Sequence, residues 1–104
     1  MKKILIFGGT NFIGRNLVEL LQQDENNDLT LFNRGITNPN VFDSIKIIKG
    51  DRYSEADISK LGLDWDYIID ISCYFPKSID LLAKLKYKNL KKYIFILTLK
   101  LVLL

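Results

Sequence analysis

The sequence contains no histidine and a single cysteine, Cys73. Without histidine there is neither a His-ligated metal site nor a His general base. One cysteine permits no internal disulfide and no zinc cluster, and it fits a reducing compartment, so the cytoplasm is the expected location. A large excess of one sign of charge is lacking too: 15 Lys and Arg stand against 12 Asp and Glu, a net +3. That excess is too small to imply nucleic acid by itself. Long apolar runs are missing. Lys2 and Lys3 lead into a short apolar stretch that ends in glycines, so a signal peptide is not expected. The longest stretch, Tyr93 to Leu104, is interrupted by Lys100 and is too short to span a membrane.

What is present is ordinary globular composition, 48% hydrophobic and 26% charged over 104 residues. This is room for one domain, 1–104, with one core. The one uneven region is the last quarter, where Lys84, Lys86, Lys88, Lys91, Lys92 and Lys100 occur with no acid among them. A solvated helix face and the turn after it explain such a run, and RNA binding is the less favoured alternative.

Short β-branched runs alternate with helical patterns from the start. Ile4 to Phe7 predicts a strand buried on both faces. After Gly8-Gly9, the spacing of Ile13, Leu17, Leu20 and Leu21 predicts a helix with one apolar face. Asn26-Asn27-Asp28 ends it, and Leu29 to Phe32 is a second strand. Asn33 to Ser44, with Gly35, Asn38 and Pro39, reads as a loop where a second helix is expected. Ile45 to Ile48 is a third strand, and Ser54 caps a short helix through Leu61. Asp66 to Ile71 is a fourth strand, Pro76 to Lys86 a helix opening with proline, and Tyr93 to Leu97 a fifth strand. Strands separated by helices imply a parallel sheet, so the expected fold is α/β, three-layered and Rossmann-type, in strand order 3-2-1-4-5. The ligand crevice then lies at the carboxyl ends of strands one and four.

The run Gly8-Gly9-Thr10-Asn11-Phe12-Ile13-Gly14 sits between the first strand and the first helix. That is the context in which a dinucleotide motif has mechanical meaning. Gly8 allows the tight turn, Gly9 lets backbone approach a pyrophosphate, and Gly14 lets the helix pack close to the sheet. The plain alternative is a strand-to-helix turn with incidental glycines. Further on, about 20 residues past the glycines, an acid normally accepts the adenosine ribose hydroxyls. Asn33-Arg34 stands there instead, and a guanidinium can grip a 2′-phosphate, which points to NADP over NAD. Arg34 as a solvated loop residue is the alternative. Asp51-Arg52 lies on the same rim, with Asp51 either accepting from the adenine amino group or forming a turn. Ile71, Ser72, Cys73 and Tyr74 are expected to line the cofactor side of the crevice. Cys73, with no base beside it, reads as an inert thiol, and Trp65 as a core anchor.

Together the runs GGTNFIGRNLVELL, LTLFNRG, GDR and WDYIIDIS resemble the atypical and extended short-chain dehydrogenase/reductases, the NAD-dependent epimerase/dehydratase group. The resemblance covers about the first 97 residues and departs at Asn11, where most relatives carry glycine; Asn tolerates the left-handed conformation. It implies a Rossmann fold with Gly8, Gly9 and Gly14 on the pyrophosphate, Arg34 near the adenosine ribose and Asp51 near adenine. It also implies a Tyr-x-x-x-Lys pair after the fifth strand, which the sequence does not contain there. Thr98 falls near the family's catalytic hydroxyl and needs a base to act. Tyr87 and Lys91 have the right spacing but precede the fifth strand, so the match is coincidental. The chain is therefore expected to be a truncated or frameshifted part of a longer frame, catalytically incomplete, with an oxidoreductase or epimerase-like ancestry. A non-catalytic nucleotide-binding or scaffolding module is the alternative. An apolar edge from Leu99 to Leu104 also predicts self-association.

Overall fold

In the computed structural model the residues described are 1–8, 12–33, 45–72 and 87–97. They form one five-stranded sheet from β1 (Lys2–Phe7), β2 (Asn27–Asn33), β3 (Lys46–Lys49), β4 (Tyr67–Ser72) and β5 (Lys92–Leu97). Two helices join them, α1 (Phe12–Gln22) after β1 and α2 (Glu55–Ser59) after β3. The order is β3-β2-β1-β4-β5 and all four pairings are parallel, as the alternation of apolar runs and helices requires. The expected helix over Pro76 to Lys86 and the apolar segment Leu99 to Leu104 lie outside the described residues, as does the expected Asn33 to Ser44 loop except for Asn33, which ends β2. Among the described residues no helix is long and apolar enough to cross a membrane.

Alternation along the strands divides the core between two faces. Ile4, Ile6, Leu29, Leu31, Ile69 and Ile71 pack with Val18 of α1. On the other side Leu5, Phe7, Phe32 and Ile68 pack with Ile58 of α2 and with Leu61 and Trp65. Central strands covered on both sides must be apolar throughout, which is why β1 reads as a continuous apolar run rather than an alternating one. Trp65 is the anchor its size suggests: it is buried, and its indole Nε1 donates to the Leu61 carbonyl at 3.1 Å.

The buried face of α1 is turned from the expected one. Gly14 and Val18 are buried, with Leu17 and Leu21 packed beside them, and Leu20 is 62% exposed. Positions 14, 17, 18 and 21 follow the helical period, and Leu20 falls on the flank of that stripe. Beyond Gln22 the chain turns back, with Asn27 Nδ2 donating to the Leu21 carbonyl at 3.0 Å. Ser54 caps α2 as expected, its Oγ accepting from the Asp57 N–H at 3.3 Å.

Register sets the level of the site. Phe7 stands opposite both Phe32 and Asp70, and Ile48 opposite Phe32, so these four occupy one row near the carboxyl ends of the strands. Along β4, Ile68 and Asp70 share a face, and Asp70 is placed where an apolar side chain is the rule. It is fully buried.

Candidate nucleotide-binding cleft

The chain leaves β1 at Gly8 with φ of 84°, a left-handed conformation that costs a side-chain-bearing residue about 1–2 kcal/mol. Glycine is thus the natural occupant of the turn into α1. Beside it opens a cleft of about 160 Å³, lined by Phe7, Gly8, Phe32, Asn33, Gly50, Arg52 and Ile71. These come from the carboxyl ends of β1, β2 and β4 and from the turn after β3. Gly50 matters here because a Cβ on it would lie 2.7 Å from the Phe32 ring. The backbone is held in that close approach by the Gly50 N–H donating to the Asn33 carbonyl at 2.9 Å.

A larger cavity of about 300 Å³ lies at the opposite rim, among Gln22, Asp24, Glu25, Asn27, Asp28, Leu29, Ile45 and Lys46. Its three carboxylates against one ammonium repel an anionic ligand. Among the described residues the smaller cleft has no carboxylate in its lining, and the amino end of α1 is close by in sequence, with no acid in that helix's first turn. Its chemistry fits a phosphate-bearing ligand with an apolar body.

Four of the residues expected from sequence meet at this cleft: Gly8, Asn33, Arg52 and Ile71. Gly14 is buried within α1, Phe12 and Ile13 form its first turn, and Ser72 ends β4. Asp51 is exposed and engaged in a local turn, its Oδ1 accepting from the Tyr53 N–H at 2.9 Å. The Asp51 N–H in turn donates to Asp57 Oδ2 at 2.8 Å, which together with Lys60 holds the Asp57 carboxyl below the usual carboxylate range. Gly9, Thr10, Asn11, Arg34, Cys73, Tyr74 and Thr98 lie outside the described residues. Tyr87 packs against the Trp65 side of the core, and the Lys91 ammonium sits 5.9 Å from the Tyr67 ring. Lys91 directly precedes β5, so it belongs to the rim opposite the cleft.

Arg52 is held in a way the sequence did not announce. Its Nη1 donates to Asp70 Oδ1 at 2.9 Å and its Nη2 to Asp70 Oδ2 at 2.5 Å, a bidentate pair. The Tyr93 hydroxyl donates to the same Oδ2 at 2.9 Å. The guanidinium carbon lies 5.4 Å from the Phe7 ring centroid, and the Phe7 and Phe32 rings are 5.1 Å apart, tilted by 58°. An acid inside an otherwise apolar strand was the available signal: D-Y-I-I-D-I carries Asp70 on a face that Ile68 buries.

Burial raises the Tyr87 hydroxyl to about 12. Burial first, and then the adjoining Asp70 carboxylate, raise Tyr93 as well. Free tyrosine ionises near pH 10, so the folded state retains these protons when the unfolded state has lost them. Their contribution to stability is therefore complete below about pH 10 and is lost as pH rises through the folded values. In a spectrophotometric titration the native protein is expected to lack the phenolate absorbance of Tyr87 and Tyr93 at about pH 11, and to regain it in denaturant. Full phenolate absorbance from the folded protein at that pH would contradict the described burial.

Comparison with known proteins places this geometry. The NAD dependent epimerase/dehydratase family matches residues 4–98. Among solved structures, a short-chain dehydrogenase/reductase from Veillonella parvula superposes with a TM-score of 0.71 at 18% identity, covering 90% of this chain and 46% of that one. Vestitone reductase from alfalfa gives 0.65 at 16% identity, covering 91% and 36%. A short chain dehydrogenase family protein from Francisella tularensis gives 0.54 at 27% identity, covering 67% and 30%. No curated protein sequence matches the chain. The chain spans less than half the length of each of these solved relatives, and the two wider superpositions establish the Rossmann-like fold. With 95 of its 104 residues inside the family match, counted from 4 through 98, the chain belongs to the NAD dependent epimerase/dehydratase family.

Proposed function

We propose that the cleft holds a nicotinamide dinucleotide, NADP in preference to NAD, as the cofactor-binding part of an oxidoreductase or epimerase/dehydratase-like protein. The observation that carries this reading is Gly8 in its left-handed turn, beside a largely apolar cleft with no carboxylate among its described lining residues, where the parallel sheet reverses its strand order. The pyrophosphate is assigned to the sequence Gly8-Gly9-Thr10-Asn11-Phe12-Ile13-Gly14, which links β1 to α1. Phe7, Phe32 and Ile71 supply apolar walls, and Asn33 and Arg52 the polar rim; Asp51, after β3, and Ser72, the last residue of β4, are assigned to the edge of the site by their place in the sequence. Asn33 at the end of β2 brings no negative charge to the adenosine ribose, and Arg34, next in sequence, is assigned the positive charge that a 2′-phosphate needs. When bound, the dinucleotide supplies hydride transfer, and the residues of this chain bind and orient it.

Calorimetric titration of the purified chain tests the assignment. Wild type is expected to bind NADP more tightly than NAD. Gly9→Val is expected to abolish both, and Arg34→Ala to bring NADP down to the affinity of NAD, a loss of roughly tenfold for one charge-assisted contact. Equal affinity of the wild type for the two dinucleotides would overturn the preference for NADP. Failure to bind either would overturn the site.

A further inference from the structure

We propose that Asp70 and Tyr93 are positioning residues of the nucleotide cleft, acting through Arg52. The inference rests on the dinucleotide reading of that cleft. Asp70 and Tyr93 are not among the residues that line it, whereas Arg52 and Phe7 are. Asp70 therefore reaches the cleft by way of the guanidinium it grips.

The arrangement is more than the fold needs. A fully buried carboxylate on a central strand is costly to desolvate, and apolar residues of similar volume often serve stability as well or better. Here both carboxylate oxygens are occupied, Oδ1 by Arg52 and Oδ2 by Arg52 and Tyr93 together. Two parallel N–H donations fix the plane of the guanidinium as well as its distance. The guanidinium carbon lies 5.4 Å from the ring centroid of Phe7, the last residue of β1 before the Gly8 turn. Arg52 is a long side chain on a two-residue turn, and the bidentate grip holds it in one geometry.

The contact also spans the crevice. β3 and β4 are not neighbours, since β2 and β1 stand between them. Arg52 leaves the turn after β3 and crosses above the row Phe32–Phe7 to reach Asp70 on β4, while Tyr93 supports the carboxylate from β5. One side chain thus ties the two halves of the sheet at the level of the cleft. A ligand entering between them meets a wall already set in place, which lowers the ordering cost of binding.

A double-mutant cycle on NADP affinity, measured by calorimetry well below each variant's melting temperature, separates positioning from mere support. Asp70→Asn and Arg52→Met are each expected to weaken NADP binding by roughly tenfold, and the double variant by roughly tenfold again rather than a hundredfold, because both act through one side chain. Tyr93→Phe removes a single hydroxyl, is expected to fold, and should weaken binding by roughly threefold. A purely structural role predicts lower melting temperatures with unchanged affinity in Asp70→Asn and Tyr93→Phe, and that result overturns the inference while leaving the cleft assignment intact. Additive losses in the double variant overturn the route through Arg52. Should Asp70→Asn fail to fold, unchanged affinity in Tyr93→Phe is sufficient to reject the proposal. Absence of binding in the wild type rejects the cleft assignment, and the proposal with it.

Discussion

Asp70→Ala is expected to destabilise the fold by about 3–5 kcal/mol, the usual cost of removing one partner from a buried ion pair. The side chain is fully buried and its partner Arg52 is 16% exposed, so neither charge is screened by much water. Alanine would remove the carboxylate that both guanidinium nitrogens donate to, and leave the Tyr93 hydroxyl without the oxygen it donates to. For a domain of this length, total stability is about 5–15 kcal/mol, so the loss takes a large share of it. Urea denaturation with the slope held constant across variants would measure it. A surface pair in the same protein provides the contrast. Lys3 Nζ and Asp64 Oδ2 are 3.4 Å apart with side chains 44% and 66% exposed, and an exposed pair of that kind is worth about 0–1 kcal/mol. Asp64→Ala should therefore be nearly silent. If Asp70→Ala cost no more than Asp64→Ala, the buried triad would not exist in solution as described. The paired replacement Arg52→Met with Asp70→Leu should recover most of the stability, since it removes both charges and keeps the volume.

This triad marks the boundary of what sequence could reveal. Strand positions and their order were legible because each strand is an apolar run closed by glycine or a polar cluster, and helices between strands force parallel pairing. The Gly8 turn was legible for a similar reason: glycine is the residue suited to the conformation found there. Arg52 was legible as a rim residue, since it follows β3. Its partner was not, because that contact crosses two intervening strands and depends on which faces the side chains of β4 take. Asp51 shows a different limit. A post-strand aspartate can face a ligand or close a turn, and the choice was made by the Tyr53 and Asp57 contacts around it. For α1 the apolar period was right and its phase was not. Gly14 carries no hydrophobic signal, yet it is buried on the same stripe as Val18, while Leu20 is left exposed.

Phe7→Ala is expected to cost about 3–5 kcal/mol and to weaken dinucleotide binding at the same time. Phe7 is 1% exposed, in the row where the core of one face becomes the floor of the cleft. Its ring touches Phe32 on one side and carries the Arg52 guanidinium on another. Truncation removes the ring's buried area, the aromatic pair and the cation–π contact, the last two worth about 0.5–1.5 and 0.5–1 kcal/mol. It also leaves a void that Phe32 can fill only by moving away from Gly50, whose backbone is held to Asn33. Leu5 provides the comparison that gives the result meaning. It lies two residues earlier on the same face of β1 and is equally buried, but it is absent from the cleft lining. Leu5→Ala should cost about 2–5 kcal/mol and leave the affinity for NADP unchanged below its melting point. If the two variants lose stability alike and only Phe7→Ala loses affinity, the ring serves core and cleft together. Equal affinity in both would separate Phe7 from the ligand and confine its role to the core.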